Sequence, residues 1–270
     1  MRMRMRGTII AAAFLLGATS AVAVGAQASG PPASAPGTAS EGFGYSGDTG
    51  PGFWADLSPA NALCGSGTRQ SPINIGRVKI DPALRRLKLN LKPTPISLIN
   101  NGHTIKEEIR SRNTLTLNGD VYTADQFHLH TLSEHTIHGQ RGVMELHAVF
   151  VDPAGKIAVV GLLFRIGRKN AFLAKLSSAG LPTHSGDHVT SQRKITLADG
   201  LTDTSAYYTY SGSLTTPPCT EGLTWFVLKD EAQMSRAQFR EFENILGNNF
   251  RPLQPLNGRV VRATANGGTG

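Results

Sequence analysis

The chain has 270 residues, with 27 lysines and arginines against 19 aspartates and glutamates and a formal net charge of +8. This length, without an internal repeat, favours one large domain over several small ones. The basic residues form no cluster, so the charge does not predict nucleic-acid binding, and no stretch after the first residues is apolar enough to span a membrane.

The first 28 residues have the pattern of a secretory signal peptide. Three arginines within residues 2–6 precede an apolar run of small residues at 8–24, and Ala-Gln-Ala at 26–28 offers small residues on both sides of a cut. A membrane anchor is the alternative, because the run approaches the shortest length that spans a bilayer. The abundance of Ala and Gly and the cleavage pattern favour removal. Removal takes away three arginines and no acid, which leaves 242 residues with a charge of +5.

We therefore expect export to the periplasm or the medium. Residues 29–41 follow as a flexible leader, since 29–40 contain only Ser, Gly, Pro, Ala and Thr, and residues 265–270 form a similar tail. The predicted folded domain is 42–264. In an exported protein the two cysteines, Cys64 and Cys219, predict a disulfide, with two free thiols as the weaker alternative.

Short alternating segments rich in β-branched and apolar residues dominate the folded domain, and they predict strands. Examples in chain order are Leu87–Leu91, Thr114–Leu117, Gln126–Thr131, Val143–Val151 and Leu223–Leu228. Helical patterns are few. Residues 170–178 are one candidate, and Ser235 is a suitable N-cap for another that Gly247 ends. The predicted fold class is β-rich α+β, a single domain around one large, mostly antiparallel sheet with peripheral short helices.

Five of the eight histidines lie between residues 128 and 147. The two-residue period of a strand places Gln126, His128 and His130 on one face, and it likewise aligns Glu145 with His147. If the two segments pair antiparallel, three imidazoles converge, a donor set that suits zinc and leaves a fourth position open.

Two residues stand beside this triad. Gln126 and Glu145 each precede a histidine by two positions, which suits the oxygen acceptors that hold the second ring nitrogen of metal-bound histidines. The alternative is a set of unrelated histidines on a polar sheet face, but the third histidine and the two acceptors favour a metal site.

A longer series of motifs contains these residues, and through it the chain resembles the exported, bacterial-type α-class carbonic anhydrases from about Phe43 to Ala263. The matching stretches are Gly44-Tyr45, Arg69–Asn74, Asn101-Gly102-His103, Gln126–His130, Ser133-Glu134-His135, Glu145-Leu146-His147, Ser213–Pro218, Trp225 and Arg251-Pro252-x-Gln254-Pro255. The resemblance implies a twisted sheet of about ten strands with zinc at the bottom of a conical cleft. It also implies cis peptide bonds at Ser71-Pro72 and Pro217-Pro218.

The reaction that this resemblance implies is the zinc-dependent, reversible hydration of carbon dioxide to bicarbonate and a proton. His128, His130 and His147 would bind Zn²⁺, which in carbonic anhydrases lowers the pKa of its bound water to about 7, so that hydroxide is available to attack the substrate. Thr215 would accept a hydrogen bond from that hydroxide and donate its own to Glu134.

Further roles follow from the same resemblance. His103 would carry the proton to buffer, since histidine titrates near neutrality, with Tyr45 and Asn101 ordering the intervening water. Thr216 would line the bicarbonate site, although it also suits a simple turn. An apolar wall would receive carbon dioxide, with ordinary core packing as the alternative for each member: Val149, Val159, Leu214 and Trp225. The other histidines match no catalytic position and are interpreted as surface or loop residues: His135, His138, His184 and His188.

Lys106 departs from the family pattern, because this position usually carries a neutral Asn or Gln that lines the cavity. Its ammonium group either enters the cavity or extends to the rim, where it would have no effect on the reaction. Its position bears on the water network and not on the metal ligands.

Two rival functions remain open. One is a catalytically weak or inactive anhydrase-like binding module, although such modules typically lose a zinc histidine and this chain keeps all three with Thr215 and Glu134. The other is an unrelated zinc hydrolase, which would need a general base at the metal. Exported relatives often form homodimers, but the sequence identifies no interface.

Overall fold

The computed structural model describes residues 42–109 and 112–265. The predicted signal peptide and leader, and all of the tail except residue 265, lie outside the described residues. No helix within the described ranges is long and apolar enough to cross a bilayer.

Sixteen strands and a few short helices make up the described part of the chain. The strands are β1 (Asn74–Ile75), β2 (Lys79–Ile80), β3 (Lys88–Asn90), β4 (Thr94–Asn100), β5 (Ile105–Glu108), β6 (Thr114–Leu117), β7 (Asp120–His130), β8 (Thr136–Ile137), β9 (Gln140–Arg141), β10 (Met144–Val151), β11 (Ile157–Ile166), β12 (His188–Ile195), β13 (Tyr207–Ser213), β14 (Glu221–Leu228), β15 (Ala232–Met234) and β16 (Arg262–Ala263). The α-helices are α1 (Leu63–Ser66), α2 (Ala171–Ala179) and α3 (Arg236–Leu246), and 3-10 turns span Gly47–Thr49, Pro59–Asn61 and Leu197–Asp199.

Thirteen of these strands form one sheet. Ten of them follow the continuous order β12-β4-β5-β7-β10-β11-β14-β13-β16-β2, and β3, β6 and β15 attach at its sides. Most pairings are antiparallel; the parallel ones join β11 to β14 and to β15, and β16 to β2. The predicted β-rich class and mostly antiparallel sheet are therefore confirmed. The small sheet β1-β8-β9 stands apart from it.

Both faces of the central strands are buried, each in a different apolar cluster. On β10, Leu146, Ala148 and Phe150 join the larger cluster, while Val149 joins the smaller one on the opposite face. This alternation is the two-residue period of a strand. Because the smaller cluster occupies the same face as Glu145 and His147, the sheet places polar site residues and apolar side chains side by side.

Both predicted helices form, and the predicted N-cap of α3 is present. Ser235 accepts a hydrogen bond from the Gln238 N–H, and the Gln238 side chain accepts one from the Ser235 N–H, which together form a capping box. Asn170 caps α2 through the Leu173 N–H. A cap of this kind stabilises a helix by about 1 kcal/mol. The predicted disulfide between Cys64 and Cys219 is present, as are the two cis proline bonds.

Candidate metal centre

Three histidines converge where β7 pairs with β10. The antiparallel register sets His128 opposite His147 and His130 opposite Glu145. The three rings lie 4.7–5.2 Å apart between centroids. One ring nitrogen from each histidine lies within 4.8 Å of the others. The convergence expected from the strand period is thus realised in the structure.

An oxygen lies at the second ring nitrogen of each histidine. His128 Nδ1 is 2.8 Å from Gln126 Oε1, and His130 Nδ1 is 2.6 Å from the backbone carbonyl of Asn249. His147 Nε2 lies 3.0 Å from Glu145 Oε1. Because oxygens of these types accept hydrogen bonds, each contacting nitrogen carries the proton. The lone pairs therefore remain on Nε2 of His128 and His130 and on Nδ1 of His147.

The triad is also held in the neutral form that metal binding requires. Burial lowers the pKa of each imidazole, well below its usual value for His128 and to about 4 for His130. His130 Nε2 is buried without a hydrogen-bond partner among the described residues. A buried lone pair without a partner is costly unless something binds it. Three neutral imidazoles with converging lone pairs fit a zinc ion.

His135 lies in the loop between β7 and β8, as one of the two predicted alternatives has it, but it does not lie at the surface. It is fully buried, with Nδ1 2.8 Å from Glu145 Oε1 and Nε2 2.7 Å from the Tyr210 hydroxyl. The turn after β7 is itself buried, and the His135 ring lies between Glu145 on β10 and Tyr210 on β13. His138, His184 and His188 are exposed, as expected.

Glu145 connects this second histidine to the triad. Its Oε2 accepts the backbone N–H groups of Glu134 and His135, both at 2.8 Å. Burial alone would raise its pKa, but His135 and His147 hold the pKa of this carboxyl well below its usual value. An ionised Glu145 is therefore fixed by bonds to both oxygens, and it fixes His147 in turn.

Glu134 and Thr215 lie next to the three lone pairs. Glu134 Oε2 is 3.7 Å from His130 Nε2 and 3.9 Å from His147 Nδ1. Burial raises the pKa of Glu134, whereas His147, the Arg251 N–H and a hydrogen bond from Thr215 lower it. The Arg251 N–H donates to Oε1 at 2.7 Å. Glu134 is thus a buried carboxylate beside the metal position, and Thr215 is also buried.

The expected apolar wall lies on the same face of the sheet. Val149 pairs with Val159, and Val159 with Trp225, across β10, β11 and β14. These three side chains are buried in the smaller cluster, and Leu214 packs against it half-buried. The Trp225 ring lies 4.8 Å from the His147 ring between centroids. Thr216 is half-buried, with its carbonyl accepting the Cys219 N–H.

His103 is half-buried and packs against Phe43. The two rings stack with centroids 3.8 Å apart and planes inclined by 13°. Burial lowers the pKa of His103. Asn101 is exposed, and its side-chain oxygen accepts the N–H groups of His103 and Thr104, so this oxygen shapes the turn. Burial, and then the charge of Glu134, raise the pKa of Tyr45 well above its usual value.

Lys106 stands on β5 directly opposite His128 on β7. Its side chain is half-buried, and its ammonium lies 3.4 Å from Glu108 Oε1. Its charge is among the causes that lower the pKa of His128. The Lys106 ammonium is thus paired with Glu108 on the strand beside His128.

Two residues that position the site, Asn249 and Tyr210, belong to no motif of the sequence. Asn249 lies in an irregular segment after α3, and its side chain bonds the backbone of His103, Leu129 and Thr131. Tyr210 on β13 joins His135 to the Ser71 hydroxyl, 2.8 Å away. Both contacts bridge large sequence separations, which no local pattern reports.

Comparison with known proteins identifies close counterparts. A family model described as eukaryotic-type carbonic anhydrase matches residues 49–265. A carbonic anhydrase of Neisseria gonorrhoeae is 39% identical over 221 residues, covering 81% of this chain and 86% of the relative. Dioscorin DB3S of Dioscorea polystachya is 35% identical over 225 residues, with coverages of 78% and 82%. The solved α-carbonic anhydrase of Thermovibrio ammonificans, in complex with sulfanilamide, is 38% identical, covers 84% of this chain and all of its own, and has a TM-score of 0.79.

Proposed function

The chain belongs to the α-carbonic anhydrase family, whose reaction is the reversible hydration of carbon dioxide to bicarbonate, and we propose that His128, His130 and His147 hold the zinc ion for that reaction. The convergence of their three neutral ring nitrogens is the observation that carries this assignment. When bound, a zinc ion acidifies water enough to supply a nucleophile at neutral pH.

Thr215 and Glu134 orient that nucleophile. In this proposal the Thr215 hydroxyl donates a hydrogen bond to Glu134, so the Thr215 oxygen presents only lone pairs toward the metal position. Only a group that can donate a hydrogen bond is then accepted there, and its remaining lone pair is directed toward the substrate. Preorganised dipoles of this kind lower the barrier because they need no reorganisation during the reaction.

The apolar wall receives the substrate. Carbon dioxide has no charge and no net dipole, so Val149, Val159 and Trp225 offer it a surface that holds water poorly. Leu214 completes this wall, and Thr216 binds the bicarbonate product.

His103 moves the proton out of the site. Its neutral imidazole accepts a proton through water and, being only half-buried, releases it to buffer. The lowered pKa of His103 keeps it neutral at pH values where an exposed histidine is already half protonated.

Hydration of carbon dioxide before and after zinc removal tests the proposal. We expect rapid hydration by the zinc-loaded protein, loss of the rate on chelation, and recovery on adding one equivalent of zinc. A protein that binds zinc but does not accelerate hydration would instead be an anhydrase-like binding module. A protein that binds no zinc would refute the metal site itself.

We also propose that the protein works outside the cytoplasm, in the periplasm or the medium. The Cys64–Cys219 disulfide supports this location, because such bonds persist in oxidising compartments. Mass spectrometry of the exported protein should find a mature N-terminus after residue 28 and no free thiol.

A further inference from the structure

Arg251 is a buried cation whose backbone contacts Glu134. Its side chain is only 2% exposed. Its own N–H donates to Glu134 Oε1 at 2.7 Å, on the opposite side of the carboxylate from the metal position. The location of this one N–H therefore helps to decide where the Glu134 carboxylate lies.

The guanidinium of Arg251 fixes that N–H by bonding to three other groups. Nη1 donates to Gln70 Oε1 at 2.7 Å and to the Ser71 carbonyl at 2.9 Å, while Nη2 donates to the Cys64 carbonyl at 2.9 Å. All three acceptors are uncharged oxygens. Burial lowers the pKa of Arg251 to about 10, and the charge of Glu134 opposes that decrease.

Gln70 extends the same network to the other half of the disulfide. Its Nε2 donates to the Cys219 carbonyl at 3.0 Å. Cys219 closes the turn that begins at Thr216, one residue after Thr215. Arg251 and Gln70 together therefore hold the carbonyls of both bridged cysteines. The Arg251 N–H that bonds Glu134 and the turn that follows Thr215 are attached to this one frame.

We propose that Arg251 is a positioning residue for Glu134, acting through its backbone N–H while its guanidinium anchors that N–H to Gln70, Ser71 and Cys64. The catalytic consequence rests on the proposed function of Glu134; the anchoring itself does not. If Arg251 only stabilised the fold, the effect of replacing it would not depend on whether Glu134 is present.

Arg251→Lys separates the two roles. Lysine keeps the charge, but its compact ammonium cannot reproduce a planar fork that bonds three acceptors. Because Arg251 does not contact the substrate wall, the loss should appear in kcat and not in KM. We expect kcat to fall by about tenfold or more in the parent and by less than about twofold in the Glu134→Gln background, since residues that act through one another are not additive.

Arg259→Lys is the matched control. Arg259 is also buried and donates to four carbonyls, those of Gln70, Ser211, Pro255 and Leu256, but it makes no hydrogen bond to Glu134. If Arg259→Lys lowers kcat, it should do so by the same factor in the parent and in the Glu134→Gln background. An equal factor for Arg251→Lys in both backgrounds would overturn the proposal. If Arg251→Lys does not fold, Gln70→Met tests the same coupling, because it removes one acceptor of the fork and preserves volume.

The backbone amide of residue 251 gives a second measurement that needs no zinc and no activity. A short bond to a carboxylate moves an amide proton strongly downfield. In the zinc-free protein, Arg251→Lys should move this signal upfield toward its position in Glu134→Gln, whereas Arg259→Lys should leave it in place. An unchanged signal in Arg251→Lys would refute the anchoring. A parent enzyme without hydration activity would refute the proposed function and leave this measurement valid.

Discussion

The backbone carbonyl of Asn249 accepts a hydrogen bond from His130 Nδ1 at 2.6 Å, although the two residues lie 119 positions apart in the chain. This bond orients the ring and leaves its Nε2 lone pair for a metal. The three triad histidines are thus oriented by three different oxygens: a side-chain amide from Gln126, a backbone carbonyl from Asn249 and a carboxylate from Glu145.

Gln126→Leu tests whether such an acceptor matters. The substitution preserves most of the side-chain volume and removes the oxygen at His128 Nδ1, so zinc affinity should fall by about tenfold to a hundredfold. Competition with a chromophoric chelator measures the affinity. Gln140→Leu changes an exposed glutamine on β9 and should not alter the affinity. Equal affinities for both variants and the parent would show that His128 needs no such partner.

His103→Ala should slow hydration mainly in dilute buffer, because proton export fails while the metal site stays intact. Added imidazole should restore part of the rate. Since burial lowers the pKa of His103, the proton-transfer rate of the parent should fall with decreasing pH only below about 6.5, the ordinary histidine value. Stopped-flow assays at several buffer concentrations measure this. His138→Ala, which changes an exposed histidine, is the control and should behave like the parent. If His103→Ala is as fast as the parent in dilute buffer, another group carries the proton to buffer.

Lys106→Gln should raise the pKa that governs hydration, since a nearby positive charge favours the deprotonated form of the group that reacts. Glu108 lies 3.4 Å from the ammonium, and solvent screens the cleft, so the increase should be a few tenths of a unit and should shrink with salt. Profiles of rate against pH at low and high salt test this. Lys156→Gln, at an exposed position, is the control. If the profiles of Lys106→Gln and the parent coincide, Lys106 has no influence on the site.

Glu107→Gln should change how stability depends on pH. Glu107 is fully buried, with both oxygens 2.8–3.0 Å from the Ser97 N–H, and burial raises its pKa to about 7. The folded state therefore holds a proton that the unfolded state releases near pH 4.5, so the contribution of Glu107 to stability falls as pH rises from about 4.5 to 7. The loss amounts to at most about 3 kcal/mol.

Denaturant unfolding at pH 4.5 and pH 8 measures the effect. The parent should lose stability relative to Glu107→Gln between these two pH values, because the buried histidines, whose pKa values are lowered, affect both proteins alike and cancel in the comparison. Glu108→Gln, which changes the neighbouring and partly exposed carboxyl, should retain this loss. A Glu107→Gln protein with the same pH dependence as the parent would show that Glu107 does not change its protonation on unfolding.

Local patterns predicted the parts of the fold that local forces determine. The two-residue period of a strand predicted that Gln126 and the two histidines of β7 lie on one face. Ser235 and Gly247 predicted where α3 begins and ends, and the helix has these ends in the structure. The bulge that leaves Asp125, between Ala124 and Gln126, without a register partner on β10 was not predicted. A bulge depends on how two strands align in the sheet, which neither strand specifies alone.

The part of the site that could not be predicted is made of long-range contacts. The burial of His135 depends on Glu145 and Tyr210, and the anchoring of Arg251 depends on Gln70 and Cys64. These pairs meet only after the sheet has formed. The family resemblance predicted the residues that would act in the reaction. The structure shows which other residues position those side chains.

Zinc binding to the metal-free protein is the measurement that tests the central claim most directly. Calorimetric titration should give one site per chain for the parent and for His138→Ala, whose histidine is exposed. His128→Ala, His130→Ala and His147→Ala should each lose most of the zinc affinity and essentially all hydration activity, because a site of three neutral imidazoles cannot spare one. A folded His130→Ala protein that kept both the zinc and the activity would contradict the account.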